Sequence, residues 1–211
     1  MLLVFIVFIV FLLLGMPVSF AIGISGFLFF VQQPELPLTM PVQLILSGTQ
    51  SFSLLAIPMF IFAGNLLNNT GITSRLVKFA SVVTGHMRGG LAQTSVVLST
   101  LMGGVTGSAI ADASMEARIL GPAMTKRGYD RAYSAAVHGF TSLITIAIPP
   151  GIGLVLYGSI GEVSVGRLFA GGILPGLLMA ALFMIVVSIT SSKKGYLPER
   201  EKRAPFKEIG L

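Results

Sequence analysis

The sequence predicts an all-helical integral membrane protein, and three observations support this fold class. Of the 211 residues, 54% are hydrophobic and only 10% are charged, whereas roughly a quarter of the residues in a soluble domain are charged. The mean hydropathy is +0.89. The apolar residues form long continuous stretches, without the alternation of a membrane-spanning strand. Because a bilayer core offers the backbone no hydrogen-bond partners, these stretches are expected to be helices.

Five apolar stretches are recognisable: 1–31, 53–68, 91–111, 132–158 and 168–190. The first has no basic residue ahead of it and no small-residue cleavage site at its end, so we expect a retained membrane segment rather than a signal peptide. Gly15-Met16-Pro17 could turn the chain and give two short passes, or kink one tilted helix. Pieces of about 15 residues cover only about 22 Å at the helical rise, which favours one long, kinked element.

The connection 69–90 is predicted to be an amphipathic helix on the membrane surface. Its apolar residues recur at helical spacing opposite two basic ones: Ile72, Leu76, Phe79 and Val83 against Arg75 and Lys78. A glycine pair, Gly89-Gly90, follows the helix, as is common at helix ends.

The stretch 91–125 is predicted to enter the membrane and return to the same side. Basic residues flank it on both sides: Arg75, Lys78 and Arg88 precede it, and Lys126, Arg127 and Arg131 follow it. Because Lys and Arg favour the cytoplasmic side, a stretch between two such flanks cannot cross. Its middle reads MGGVTGSA, so we predict a re-entrant hairpin of two half-helices that meet at Gly103–Ser108.

A second interruption lies in 132–158, at Ile148-Pro149-Pro150-Gly151. Two consecutive prolines remove two backbone donors and disfavour helix at the preceding residue, so this segment is predicted to be a broken helix with free carbonyl groups. The loop 158–167 suits the outer face. The last span then returns the chain to a basic tail, which is predicted to be cytoplasmic.

Two interrupted helices side by side are typical of transporter binding sites, because half-helix N-termini attract anions and unwound carbonyls coordinate cations. Hydroxyl groups accompany both breaks here: Thr106 and Ser108 at the hairpin tip, and Thr141, Ser142 and Thr145 before the prolines. Such oxygen donors suit a hard cation such as Na⁺.

Asp112 is the most informative single residue, because a carboxylate in an apolar segment is costly and usually functional. Its alternative role is structural, since an acidic residue in the first turn of a helix interacts favourably with the helix dipole. Glu116 and Arg118 lie nearer the cytoplasmic end and are expected to be solvated or paired. His138 is expected to be a hydrogen-bonded packing residue, with a proton relay as the alternative.

The breaks also have a purely structural interpretation, because Gly103-x-x-x-Gly107 and Gly172-x-x-x-Gly176 could serve close helix packing. The function classes under comparison are therefore a transporter subunit, a non-transporting scaffold that only packs against partner membrane helices, and an intramembrane enzyme. The enzyme is disfavoured, because the sequence alone indicates no paired catalytic carboxylates, no Ser–His proximity and no metal-ligand spacing.

No catalytic residue and no transition-metal site is predicted. The sequence contains no Cys, and its two His residues are far apart. The net charge of +6 comes from basic residues that flank apolar segments or lie in the last 19 residues, which is typical of loops near a membrane. Nucleic-acid binding is therefore not expected.

A collinear run from residue 15 to about residue 180 resembles the large membrane subunit of tripartite ATP-independent periplasmic (TRAP) transporters. Four segments carry the resemblance: GMPVSFAIG, then IPMFIFAGNLLNNTGITSRLVKFASVVTGHMRGGLAQTSVVLSTLMGGVTGSAIADASMEARILGPAMTKRGYDRAYSAAV, then IPPGIGLVLYG and LFAGGILPGLL.

The resemblance implies a Na⁺ symporter of organic acids, such as C4-dicarboxylates or sialic acid, in the bacterial inner membrane. A periplasmic substrate-binding protein would deliver the solute, and a small four-helix membrane subunit would complete the complex. It implies an elevator-type fold with one inverted repeat in this chain. The expected parts are scaffold helices 1–68, an arm helix 69–90, a transport-domain hairpin and broken helix 91–158, a transmembrane helix 159–192, and a tail or linker 193–211.

The residues and the resemblance together predict two groups of site residues. Na⁺ would be bound through carbonyl or hydroxyl oxygens of Gly103, Thr106, Gly107, Ser108, Thr145 and Pro149. One wall of the substrate cavity would be formed by Ser108, Asp112, Pro150 and Gly151. Thr106 stands where the family commonly has Ser and keeps a hydroxyl, whereas Gly151 stands where Ser is frequent and offers only backbone groups. Because the family's large subunit usually has a second, inverted half, this chain is expected to hold at most half of a site.

Overall fold

The computed structural model describes residues 1–50 and 52–200, apart from the side chains of residues 52, 53, 68 and 69. The regular elements in this part of the chain are α-helices, as predicted: α1 (Leu2–Leu13), α2 (Val18–Val31), α3 (Met40–Thr49), α4 (Phe52–Asn69), α5 (Ile72–Thr84), α6 (Gly90–Gly103), α7 (Ala109–Ile119), α8 (Gly121–Lys126), α9 (Arg131–Ala147), α10 (Ile152–Ile160) and α11 (Val165–Lys193). The predicted tail 193–211 is described as far as residue 200.

The chain divides into two compact units, and the first is Met1–Ser51. In it α1 packs against α2, and α2 packs against α3. The prediction of one long, kinked element over 1–31 is therefore wrong: two helices pack against each other. Gly15 takes a left-handed conformation, with φ of +78°, and Pro17 caps the start of α2. Helix α3 was not among the predicted apolar stretches.

The second unit, Phe52–Leu211, is built around α6. Most of the residues of α6 are buried, because it packs against α5, α9 and α11. Its apolar side chains, among them Leu98 and Met102, belong to a core that also contains Met124 of α8 and Ile144 of α9. Helix α6 is thus the central element against which the rest of this unit is assembled.

Helix α5 confirms the predicted helix in 69–90, and hydroxyl as well as apolar side chains take part in its packing. Thr73, Ala80 and Thr84 are buried, and the hydroxyl groups of Thr84 and Thr94 lie 2.8 Å apart across the contact. Phe79 remains 38% exposed. Leu76 of the predicted apolar face packs against the core, so that face is partly packed and partly exposed, while hydroxyl and small side chains are also buried.

Both predicted interruptions are present. The chain leaves the helical conformation between α6 and α7, over residues 104–108, and again between α9 and α10, which are inclined by 45° to each other. Ile148 is extended, with φ of −80° and ψ of 126°, as expected for a residue that precedes a proline. The Pro149–Pro150 peptide bond is cis.

The basic flanks of the hairpin lie together at one end of the second unit. Arg88, which precedes α6, donates to the Ser192 hydroxyl at 2.7 Å. Residues that follow α7 and α8 reach the same C-terminal segment, because the Asp130 amide donates to the Tyr196 hydroxyl at 3.0 Å. The chain therefore enters and leaves the hairpin at the end where α11 finishes, and its re-entry from one side of a membrane stays a prediction.

Large apolar side chains cover the outside of α11. Its buried residues form one stripe, Gly176, Ala180, Val187 and Ser191, whereas residues such as Leu174 are exposed. By length and composition α11 is the helix in the described residues that is long and apolar enough to cross a membrane. The number rises to at most three if two pairs of consecutive helices are each counted as one span.

Candidate functional site

Helices α6 and α7 form a hairpin, because hydrogen bonds connect them in antiparallel register. The Ser99 hydroxyl lies 2.7 Å from Asp112 Oδ2, and one turn further from the tip the Ser95 hydroxyl bonds to Glu116 Oε2. At the tip the Ser108 side chain caps α7 by accepting from the Ala111 amide at 3.4 Å, as serine does at many helix N-termini.

The hairpin tip packs directly on the proline break. The Ile152 amide donates to the Gly107 carbonyl at 3.4 Å. A Cβ atom added to Gly107 would lie 2.6 Å from the Pro150 carbonyl oxygen, and one added to Gly103 would lie 2.7 Å from Ile148 Cβ. Both glycines therefore have a packing role, as the structural interpretation of this pair proposed.

The proline break leaves carbonyl groups without their helical partners. In an uninterrupted helix the carbonyls of Thr145 and Ile146 would accept from the amides of residues 149 and 150, and proline has no N–H. A Cβ atom on Gly151 would lie 2.8 Å from the Ile146 carbonyl oxygen, so the backbone doubles back closely here. These are oxygen atoms of the kind that coordinate a hard cation.

A cleft of about 270 Å³ opens beside the tip. Its lining comes from the hairpin, α4 and α10: Thr106, Ser108, Ala111, Phe60, Ile61, Gly64, Asn65 and Ile152. The Thr106 hydroxyl donates to the Met102 carbonyl at 3.3 Å. Asn65 was not predicted as a site residue, although a polar amide side chain within the apolar stretch 53–68 could have indicated a polar site there.

The predicted site residues separate into two places. Gly103, Thr106, Gly107 and Ser108 form the tip, and Pro149, Pro150 and Gly151 form the break on which it packs. Asp112 and Thr145 do not line the cleft. They are buried between α7 and α9, where the Thr145 hydroxyl lies 2.7 Å from Asp112 Oδ2. Their assignments to the substrate cavity and to Na⁺ remain predictions.

Around Asp112 the structure brings together a buried polar cluster of α6, α7 and α9: Ser95, Ser99, Asp112, Glu116, His138, Thr141 and Thr145. Of the two expected alternatives, solvated or paired, Glu116 is fully buried and paired, whereas Arg118 is exposed. Its Oε2 atom lies 3.2 Å from His138 Nδ1 and 3.2 Å from the Thr141 hydroxyl. His138 is hydrogen-bonded between helices, as expected.

Spacing along the chain was the signal for this cluster. Asp112 and Glu116 are four residues apart and thus share one face of α7. His138, Thr141 and Thr145 recur at intervals of three and four and share one face of α9. Ser142, which was grouped with them, instead donates to the Gly139 carbonyl of its own helix at 2.9 Å.

A hairpin tip that packs on a broken helix, beside a mostly apolar cleft with a few polar side chains, is typical of secondary transporters. The model of one family, described as the DctM component of tripartite ATP-independent periplasmic transporters, matches residues 5–209. The chain belongs to this family. The family consists of transporter components rather than enzymes, which confirms the predicted class.

Individual relatives agree with this membership. The chain is 38% identical over 208 residues to the protein y4mL of Sinorhizobium fredii, which covers 98% of this chain and 50% of the relative. It is 32% identical to the sialic acid TRAP transporter large permease protein SiaM of Vibrio cholerae, covering 92% and 46%. It is 34% identical to the C4-dicarboxylate TRAP transporter large permease protein DctM of the same species, covering 94% and 44%. The chain spans about half the length of the curated relatives it matches.

Proposed function

We propose that this chain is part of a membrane permease that imports small organic anions in symport with Na⁺. The observation that carries the proposal is the hairpin tip, which packs on the proline break and presents Thr106 and Ser108 to the cleft. Family membership supports it. The carbonyl and hydroxyl oxygens at the break would bind a cation, and the N-terminus of α7 beside the same cleft would attract an anion.

The proposed Na⁺ site lies at the contact of tip and break. Hydroxyl groups of Thr106 and Ser108 and backbone carbonyls around Gly103, Gly107 and Pro149 would hold the ion. The donor set fits Na⁺, because hard cations prefer neutral and anionic oxygen ligands. Thr145 would contribute its carbonyl, since its hydroxyl is already engaged with Asp112.

The proposed substrates are C4-dicarboxylates, sialic acid or similar carboxylates. The cleft volume of about 270 Å³ is near the lower end of the range for ligand pockets, roughly 300–1,000 Å³, which suits a small molecule. The cleft is next to the N-terminus of α7, whose dipole favours a negatively charged group. Relatives named for sialic acid and C4-dicarboxylate transport support this substrate class.

The proposed partners follow from family membership. A periplasmic binding protein would deliver the solute, a small four-helix membrane subunit would complete the complex, and a second half of the permease would close the site from the other side. The assembly would lie in a bacterial inner membrane with the tail 193–211 in the cytoplasm. In an elevator mechanism, residues 91–158 would form the moving part and residues 1–68 part of the scaffold, with 91–125 as a re-entrant hairpin.

The test is Na⁺-driven uptake of labelled dicarboxylates and sialic acid into proteoliposomes that contain the complete permease with both partners. The variant Thr106→Val plus Ser108→Gly removes both tip hydroxyls, while valine keeps the shape of threonine and glycine remains an acceptable N-cap. We expect loss of uptake, or a large rise in the Na⁺ concentration that gives half-maximal uptake.

The matched control is Ser114→Ala plus Thr125→Ala. Both hydroxyls are exposed, and each donates only to a carbonyl of its own helix. This variant should keep uptake and its Na⁺ dependence. If the tip variant assembles and transports with an unchanged Na⁺ dependence, the ion site is not at this tip. If the complete wild-type assembly forms but transports none of the solutes, a scaffold that only packs against partner helices is the better description.

A further inference from the structure

Helices α9 and α11 of the second unit leave an apolar groove between them, which we call the α9–α11 groove. It has a volume of about 260 Å³, and its walls include Ala136 and Phe140 of α9 and Phe183 and Val186 of α11. Phe140 is 61% exposed and Val186 is 52% exposed, so the groove opens to the outside of the unit. Because α11 is long and apolar enough to cross a membrane, the groove lies where lipid acyl chains can enter it.

The α9–α11 groove runs from the basic end of the unit into the apolar part of α11. Tyr133 and Thr190 form its outer end, where their hydroxyl groups lie 3.1 Å apart. Phe183 lies about 10 Å further along α11 at the helical rise. Each leaflet contributes about 15 Å to a hydrocarbon core that is roughly 30 Å thick. The groove therefore has a length that part of one acyl chain fills within one leaflet.

A polar cavity, which we call the basic cavity, lies at the same end of the unit. It has a volume of about 480 Å³ and is formed by the loop after α8 and the segment after α11, with Arg127, Lys194 and Tyr196 in its wall. The two segments that form it, 126–131 and 193–199, contain five basic residues and two acidic ones. A cavity with this excess of positive charge attracts an anionic ligand.

An aromatic contact joins the basic cavity to the α9–α11 groove. Tyr196 belongs to the wall of the cavity and Tyr133 to that of the groove, and the centroids of their rings are 5.2 Å apart. Lys194 Nζ lies 5.7 Å from the centroid of the Tyr133 ring, which is within the range of a cation–π interaction. The positive charge of Lys194 is therefore placed at the outer end of the groove.

Lys194 is accessible to an anionic ligand. Its Nζ atom lies 3.6 Å from Asp130 Oδ2, and the two side chains are 46% and 53% exposed. An exposed ion pair of this kind contributes little free energy. Asp130 Oδ1 has a separate role, because it caps α9 by accepting from the Ala132 amide at 3.0 Å. A phosphate group can therefore replace the Asp130 carboxylate beside Lys194 while the helix cap stays in place.

We propose that the α9–α11 groove and the basic cavity together bind one anionic phospholipid. Its acyl chain lies between α9 and α11, and its phosphate group lies at Lys194 and Arg127. Basic pockets between helices at a membrane surface are suited to anionic headgroups. A soluble anion would use the cavity alone, and an apolar helix of a partner protein would use the groove alone. An anionic amphiphile uses both, and this site is independent of the proposed Na⁺ and solute sites.

The first test is native mass spectrometry of the purified chain in detergent, titrated with phosphatidylglycerol or with phosphatidylcholine of identical acyl chains. We expect the first phosphatidylglycerol to bind more tightly than the first phosphatidylcholine, because only the former carries a net negative charge. An excess of soluble glycerol 3-phosphate should not displace it, because this ion has no acyl chain. Equal affinities for the two lipids, or displacement by glycerol 3-phosphate, would overturn the proposal.

Lys194→Gln tests the headgroup contact. It should weaken phosphatidylglycerol binding roughly fivefold, the factor that one basic residue contributes near a membrane surface, and leave phosphatidylcholine binding unchanged. Arg167→Gln is the matched control, because it removes the same charge from an exposed position near the start of α11, at the other end of that helix. Equal effects of the two substitutions would show that only the net charge matters, which would contradict a site at Lys194.

Ala136→Trp tests the acyl-chain contact, because its side chain fills the groove from the α9 wall. Ala135→Trp adds the same side chain at the preceding exposed position, which is outside the groove lining. Because both positions are exposed, both variants are expected to fold, which their thermal unfolding midpoints would check. Phosphatidylglycerol should bind more weakly to Ala136→Trp than to Ala135→Trp. Equal affinities for the two folded variants would rule out the groove as the acyl-chain site.

Photoreactive phosphatidylglycerol, with a diazirine in its acyl chain, separates a lipid from a protein occupant of the groove. In nanodiscs that contain the complete transporter with both partners, we expect labelled peptides that include Phe140 or Val186. If these peptides are labelled in the purified chain but protected in the complete transporter, a partner helix covers the groove and the proposal is wrong. The readout requires no uptake, so a failure of the proposed transport function would be seen separately and would leave this result standing.

Discussion

At the scale of single residues, the role of a side chain here depends on which helix it faces. Asp112 and Glu116 share a face of α7, but the sequence does not show whether that face contacts water or α9. In the structure it meets α6 and α9, and Glu116 is therefore fully buried. Gly107 is a different case, because its backbone conformation and the nearby Pro150 carbonyl group restrict which residue can stand there.

Gly107→Ala is expected to destabilise the hairpin tip. Gly107 has φ of +57°, and an added Cβ atom would lie 2.6 Å from the Pro150 carbonyl oxygen. A left-handed conformation costs a non-glycine residue roughly 1–2 kcal/mol, and backbone displacement at the break adds to that cost. The midpoint of thermal unfolding of the purified chain in detergent should fall.

Gly139→Ala is the matched control for this substitution. Gly139 lies in the interior of α9, and a Cβ atom there meets nothing within 4 Å. Replacing a helical glycine by alanine stabilises by roughly 0.5–1 kcal/mol, so the midpoint should rise slightly. Equal midpoints for the two variants would show that the tip does not need glycine at position 107.

At the scale of elements, the seating of α11 against the proline break illustrates how glycine spacing is used. Gly172 and Gly176 face the break, where added Cβ atoms would lie 2.6 Å from the Ala147 carbonyl oxygen and 2.5 Å from Ile148 Cγ1. The packing interpretation of this glycine pair is therefore confirmed. Helix α11 has 29 residues and is about 43 Å long. It is therefore longer than the hydrocarbon core of a bilayer is thick, and the proline break packs against one part of it.

Gly176→Leu is expected to disturb the contact of α11 with the break. Overpacking a close contact costs roughly 1–3 kcal/mol, and Ile148 lies between the added side chain and the hairpin tip. Thermal unfolding in detergent is again the measurement. Gly171→Leu in the same helix is the control, because a Cβ atom there meets nothing within 4 Å, and its effect should stay within about 0.5 kcal/mol. A comparable loss in both variants would argue against a specific contact at Gly176.

At the scale of the whole molecule, the second unit has one basic end. Lys194 Nζ lies 3.6 Å from Asp130 Oδ2, and Arg127 Nη1 lies 3.7 Å from Glu199 Oε1. The ring of Tyr196 stacks on that of Tyr129, with the ring centroids 4.1 Å apart. The exposed ion pairs contribute little free energy individually. Together with the aromatic stack they hold the segment after α11 across the two ends of the hairpin.

Labelling of single cysteines is expected to show this sidedness in a membrane. The natural chain contains no Cys, so each introduced thiol is unique. Arg88→Cys, Lys126→Cys and Lys194→Cys should react with a membrane-impermeant maleimide from the same side, which we propose to be the cytoplasm. Glu162→Cys, before the start of α11, should react from the opposite side. If Arg88→Cys and Lys126→Cys were labelled from opposite sides, the hairpin would cross the bilayer rather than return.

Local sequence patterns accounted for much of the fold of the second unit. The glycine-rich segment 102–109 and the Pro149-Pro150 pair predicted where helices break, because both act through the backbone of the residues concerned. The basic flanks predicted a hairpin that returns to the same side of the membrane, which remains a prediction for the labelling experiment. The turn at Gly15-Met16-Pro17 was ambiguous, since the same residues are compatible with a kink and with a turn between two packed helices.

The sequence by itself determined that this chain is helical and strongly apolar, where its helices are interrupted, and which family it resembles. Only the tertiary structure decided that Thr73, Ala80 and Thr84 of α5 are buried, and that Glu116 and His138 join Asp112 in one buried cluster. The physical reason is that composition and helix breaks are properties of neighbouring residues. Burial and hydrogen bonding instead depend on contacts such as Ser95 with Glu116, which form only when α6, α7 and α9 pack together.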